Sequence, residues 1–151
     1  MQQIKDSLFQ LCMEFITQRI RTAETALEQA REASNDDTKS SAGDKYETSR
    51  EMMQQDIDRN KRLLMDAQDN MRILKSVELH TEKFDRIKHG SLVETNQGWF
   101  YISVSAGHLL ADGKDVFAIS PASPIGKLLL EKKIGDVFSF NEKNYKIISL
   151  Q

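Results

Sequence analysis

From Met1 to Glu78 the chain contains no proline and one glycine, Gly43, and its apolar residues recur at the period of a helix. The stricter half comes second. Met53, Ile57, Asn60, Leu64, Ala67, Met71 and Leu74 alternate steps of four and three without a slip. That is a heptad seam, and Asn60 is the kind of polar seam residue that fixes register. Ahead of it, Ile4, Leu8, Leu11, Phe15, Ile16, Ile20, Ala23, Leu27, Ala30 and Ala33 form one apolar stripe. Two such helices joined by the short polar segment "SNDDTKSSAG" predict an antiparallel coiled-coil hairpin over residues 1–78, with an acidic tip near 35–48. Thirty helical residues extend ~45 Å, so the expected hairpin is a rod that carries its tip far from any other domain.

After residue 78 the period changes. "SLVET" and "WFYISV" flank "NQG", and "DVFSF" and "YKIISL" flank "NEKN", two hairpin signals; "DVFAIS" follows the turn residues "ADGK". Both prolines lie in "SPASPIGKLLLEKKIGD". Ser123 before Pro124 suits an N-cap with proline at the first helical position, and a short helix is expected through Leu128–Leu130, ending before Gly135. Residues 79–151 therefore predict a small β-rich domain of about five strands and one short helix, with Trp99, Tyr101, Phe117, Phe138 and Tyr145 supplying its core. The fold class is α+β, with "VELHTEKFDRIKHG" as the junction.

Composition narrows the function. Residues 1–78 hold 12 basic against 15 acidic side chains and residues 79–151 hold 9 against 8. Neither half has the basic excess of a free-standing nucleic-acid binder. Cys12 is the only cysteine, so no intrachain disulfide forms and a reducing cytoplasm is the expected compartment. His80, His89 and His108 stand apart at no recognised metal spacing. No apolar run approaches the ~20 residues of a membrane span, and "MQQIKDSLFQLCMEF" does not read as a signal peptide.

Asp44 and Glu47 follow Gly43 at the point where the chain turns back. Read locally they form a capping-box-like pair, each favoured at a helix N-terminus by ~0.3–1 kcal/mol. Positions three apart in a first helical turn also lie on one face, so the two carboxylates suit a shared hard cation such as Mg²⁺. Both readings hold together: one acid caps while free oxygens remain. Asp36 and Asp37 are rival carboxylates nearby, and Arg50, Arg59, Lys61 and Arg62 are a candidate basic patch for RNA or a channel wall. A solvated face with neighbouring acids accounts for that patch equally well.

Two stretches together resemble the bacterial Gre transcript cleavage factors. "GDKYET" looks like the Gly-Asp-x-x-Glu-Asn motif at the tip of their coiled coil, and "ISPASPIGKLLLEKKIGDVFSF" is similar to a segment of their C-terminal domain. The order of hairpin and β-rich domain covers nearly the whole chain. Thr48 and Ser49 stand where Asn and Ala normally follow the Glu, and the tip is longer than the family pattern. The resemblance implies an FKBP-like C-terminal domain that docks on the rim of the secondary channel of RNA polymerase, through Ser120, Pro121, Ser123, Pro124, Ile125 and Gly126. It implies that Asp44 and Glu47 help hold the second catalytic Mg²⁺ and its water, so that the polymerase hydrolyses backtracked RNA. The factor would then be an accessory protein, monomeric, with no catalysis and no cofactor of its own. Its partners would be the bacterial polymerase and, indirectly, the RNA 3′ end. Some members of the family inhibit rather than promote cleavage, so a channel regulator without cleavage activity is the alternative. A prolyl isomerase and a coiled-coil scaffold are the more distant ones.

Overall fold

The computed structural model describes the backbone of residues 2–38, 43–77 and 84–151, and the side chains of 4–35, 48–77 and 84–151. Two long helices come first, α1 (Gln2–Thr38) and α2 (Gly43–Val77), and they pack against each other. Six strands follow: β1 (Leu92–Thr95), β2 (Gly98–Ile102), β3 (Gly107–Ala111), β4 (Lys114–Ile119), β5 (Val137–Phe140) and β6 (Lys143–Leu150). A short helix, α3 (Pro124–Leu129), separates β4 from β5. The chain divides into two compact units, Ile16–Asn70 and the combination of Met1–Phe15 with Met71–Gln151.

In the first unit the seam reads as the spacing requires. Ile16, Ala23 and Leu27 of α1 are buried, as are Ile57, Asn60 and Ala67 of α2. Asn60 is only 8% exposed, a polar side chain inside an otherwise apolar stripe. Such a residue costs stability and favours one register over its neighbours. Ala33, expected on the stripe, is exposed, because α1 has by then run past its last buried residue, Leu27. The helix itself continues to Thr38, so "SNDDT" is helical rather than part of the connection. It contains neither proline nor glycine to stop it.

The second unit is built on one mixed sheet in the order β3-β4-β2-β1-β6-β5. Every neighbouring pair is antiparallel except β2 and β4, which run parallel because β3 is inserted between them in sequence and placed outside them in space. A bulge on the β1–β6 ladder lies between Glu94 and Thr95. Two turns have positive φ at both central residues, Asp112 (50°) with Gly113 (77°) and Asn141 (50°) with Glu142 (65°). That is the type I′ requirement, which matches the right-handed twist of the flanking strands. Glu142 is the strained member, since a β-carbon in this region costs ~1–2 kcal/mol. Glu142→Gly is expected to stabilise the fold by about 1 kcal/mol, measured as a raised urea midpoint.

One face of the sheet packs under α3: Ile87, Val93, Phe100, Ile102, Leu129, Tyr145 and Ile147 form a buried cluster. The segment entering the sheet is tied to the exit from α3 by Ile87 N–H to Lys132 O and Glu131 N–H to Ile87 O, both 2.9 Å. The opposite face buries Leu92, Tyr101, Val116 and Ala118. There the Cys12 sulfur of α1 meets the Ser103 hydroxyl at 3.8 Å, and a Cβ added at Gly90 would lie 3.2 Å from Val77 of α2. Cys12 is fully buried and Leu11 only half-buried, because this end of α1 faces the sheet.

Two expectations for the β domain change. β3 is a sixth strand; its sequence, GHLLA, has no alternation to announce it. Phe117 is 46% exposed rather than core. β4 buries Val116 and Ala118 on one face, and Phe117 points to the other, at the end of the sheet that α3 does not cover. Tyr101 and Tyr145 are buried as expected, and Trp99 and Phe138 are half-buried.

Candidate functional site

α2 begins at Gly43, so Asp44 is its second residue, already helical rather than the N-cap that the capping-box reading expects. Glu47 is its fifth, just past the first turn, the place where backbone N–H groups lack partners and negative charge is favoured. Their side chains, and those of Asp36 and Asp37, lie outside the described residues. The backbone nevertheless separates the two pairs. Asp36 and Asp37 belong to the last turn of α1, where the helix dipole opposes a carboxylate. Asp44 lies in the first turn of α2, where it supports one, and Glu47 follows one residue beyond that turn.

The candidate basic residues Arg50, Arg59, Lys61 and Arg62 of α2 do not form one patch. Arg50 and Lys61, eleven residues apart, fall on the same side of the helix, and Arg59, nine from Arg50, falls half a turn away. All four side chains are exposed. The Arg59 guanidinium donates to Asp56 at 3.2 Å, and the Gln54 amide donates to Asp58 at 3.0 Å. Acids thus share the surface with the bases, the pattern of a solvated helix face.

The Ser120–Gly126 segment is a corner whose polar groups are used internally. The Ser123 N–H and hydroxyl both donate to the Ser120 carbonyl, at 3.0 and 2.7 Å. The same hydroxyl accepts from Gly126 N–H at 3.1 Å as the N-cap of α3, and Pro124 opens the helix. The Ser120 hydroxyl accepts from Ala122 N–H at 3.1 Å. Gly126 is buried, and a β-carbon there would run into the Ser120 carbonyl oxygen. Ile125 packs on the core, Pro121 is half-buried and Pro124 is exposed. Neither serine hydroxyl is paired with a base in this arrangement. It is a rigid corner that fixes where α3 starts.

A polar group of another kind lies where α1 meets the sheet. Burial pushes the Cys12 thiol up to about 11, partly offset by the Ser103 hydroxyl. Burial also raises the Tyr101 phenol, with Cys12 and Asp6 adding to the effect. The folded state therefore keeps a Cys12 proton that the unfolded chain releases above about 9. Its contribution is complete below that pH and is lost as pH rises through 11. The urea midpoint is expected to fall between pH 9 and 11, and less steeply in Cys12→Ala. Lys5 is held below its ordinary value by burial, against the pull of Asp6, with its ammonium 5.1 Å from the Phe84 ring centre.

The spacing of the sequence gives no sign of a further cluster that the sheet assembles. His108 Nε2 lies 2.7 Å from Asp115 Oδ1, and its ring meets Phe117 edge-on at 5.5 Å. The β3–β4 register creates it, pairing His108 with Phe117 and Leu110 with Asp115. Among the described residues no group of three His, Cys, Asp or Glu side chains is placed to hold a metal ion, and no helix is long and apolar enough to cross a membrane. No protein-family model matches the chain, and no curated protein matches it either.

Proposed function

We propose that this protein is an accessory factor of bacterial RNA polymerase that stimulates cleavage of backtracked RNA. In this reading α1 and α2 form an antiparallel coiled-coil hairpin that enters the secondary channel, and the β domain, FKBP-like in fold, anchors it outside. The observation that supports the reading best is that Asp44 and Glu47, three residues apart, are the second and fifth residues of the second helix, at its N-terminal end. The Ser-Pro corner and the "KKIGD" turn of the β domain support it, because they are the parts of the chain that resemble Gre factors.

The chemistry follows from the residues. Two carboxylates three apart on a helix turn face the same way. Mg²⁺ takes oxygen ligands, retains several waters and accepts one or two carboxylates from one protein. In a two-metal site the second ion activates water or steadies the leaving oxygen. A factor that brings two carboxylates to the polymerase centre strengthens the hold on that second ion and its attacking water. Hydrolysis then proceeds in the polymerase's own site. The hairpin supplies reach, and the β domain supplies residence.

Adding the protein to backtracked elongation complexes with 3′-labelled RNA tests the reading. Release of short labelled 3′ fragments is the expected result. Inhibited elongation without new fragments would assign the protein to the channel-blocking class instead. No effect on either would remove the polymerase reading.

A further inference from the structure

The face of the sheet beneath α3 carries a row of rings that crosses nearly its whole width. Phe138 of β5 stacks on Tyr145 of β6 at 5.0 Å; Tyr145 meets Phe100 of β2 at 6.2 Å. Phe100 meets Phe117 of β4 at 6.3 Å, and Phe117 meets His108 of β3 at 5.5 Å. The middle of the row is core, with Tyr145 and Phe100 each 7% exposed. Its β4–β3 end is bare: Phe117 is 46% exposed, and Leu110, on the same face, is 64% exposed. Phe117 and Leu110 thus carry the apolar layer of the core out to the exposed end of the sheet.

The charge around it selects the partner. Asp115 lies on this face with its side chain 73% exposed, bonded to the His108 imidazole. The one basic residue of the β3–β4 hairpin, Lys114, turns to the opposite face, where its ammonium sits 4.4 Å from the centre of the Trp99 ring. The exposed apolar end thus carries a carboxylate at its rim and no lysine or arginine of its own hairpin on that face. The Ser120–Gly126 corner that follows β4 spends its polar groups on itself.

We infer that the β3–β4 face, anchored by Phe117 and Leu110 with Asp115 at its rim, is the surface by which the β domain grips the polymerase, through an apolar segment bearing a basic residue. This rests on the polymerase reading above. The Ser-Pro corner acts as the scaffold of that surface; the rings beside it provide the contact. Buried aromatic anchors carry most interface energy, and rim charges act chiefly on encounter and salt dependence.

The test is binding of the full-length labelled protein to bacterial core RNA polymerase, for the wild type, Phe117→Ser, Leu110→Ser and Asp115→Lys. Leu110 is 64% exposed, so thermal unfolding of Leu110→Ser should match the wild type. Phe117 also touches Phe100 and His108, so Phe117→Ser is expected to melt somewhat lower, and its binding is compared at a temperature where both proteins are folded. Phe117→Ser is expected to weaken binding at least about tenfold, the effect of losing one aromatic anchor. Leu110→Ser should weaken it in the same direction, and Asp115→Lys should weaken it several-fold at low salt and little at high salt. Wild-type binding with unchanged affinity in Phe117→Ser and Leu110→Ser would overturn this docking face and leave the polymerase reading standing. Failure of the wild type itself to bind would remove both.

Discussion

Gly126→Ala is expected to be the most damaging single-methyl substitution in the β domain. The added carbon would collide with the Ser120 carbonyl oxygen and stand 2.8 Å from the Ser123 hydroxyl. The first obstacle is backbone and cannot rotate away. Relief requires opening the corner, which breaks the Ser123 cap on Gly126 N–H and tilts α3 off the sheet. Leu129, fully buried in the core, and Ile125 would move with it. An overpacking cost of ~1–3 kcal/mol together with ~1 kcal/mol for the cap gives a loss of about 3 kcal/mol in urea unfolding. Gly135→Ala provides the contrast. Its φ is +92° with nothing within 4 Å of the added carbon, so only the backbone penalty applies, about 1 kcal/mol. Equal losses at the two positions would contradict the role assigned to the corner.

Joint replacement of Asp44 and Glu47 by alanine is expected to abolish stimulated cleavage, with a rate loss on the order of 100-fold at equal polymerase occupancy. The two acids contribute only ~0.3–1 kcal/mol each as helix-dipole partners, and the seam from Ile57 to Ala67 holds the helices together without them. A large loss of cleavage with a small change in melting therefore separates delivery of a cation from helix capping. Asp36→Ala with Asp37→Ala serves as the companion variant. Those acids lie at the end of α1 where the dipole disfavours them, so their removal is expected to leave cleavage close to wild type and stabilise the helix slightly.

How much of this was legible beforehand differs from element to element, for physical reasons. The α2 seam was readable because a helix covered along one stripe repeats its burial every three or four residues. Asn60 inside that stripe is buried as its position demands. The "NQG" and "NEKN" hairpins and the Ser123–Pro124 cap were readable because each depends on neighbours in sequence. β3 was not, since an edge strand need satisfy one neighbour only and GHLLA alternates nothing. The misplacing of Phe117 has a related cause: alternation tells which face a strand residue takes, but not how far along that face a six-residue helix reaches. The acids at 44 and 47 were visible as a local pair. The ring row ending at His108 was not, because five strands of non-consecutive order assemble it.

The central claim is that Asp44 and Glu47 help the polymerase hold its second magnesium ion. The most direct measurement is the Mg²⁺ concentration for half-maximal cleavage of a backtracked complex, with and without saturating protein. The account predicts that the wild type lowers that concentration about tenfold, roughly 1.4 kcal/mol of added ion binding, and that the doubly substituted protein leaves it where the polymerase alone has it. An unchanged Mg²⁺ requirement with the wild type, or the same shift from the doubly substituted protein, would contradict it.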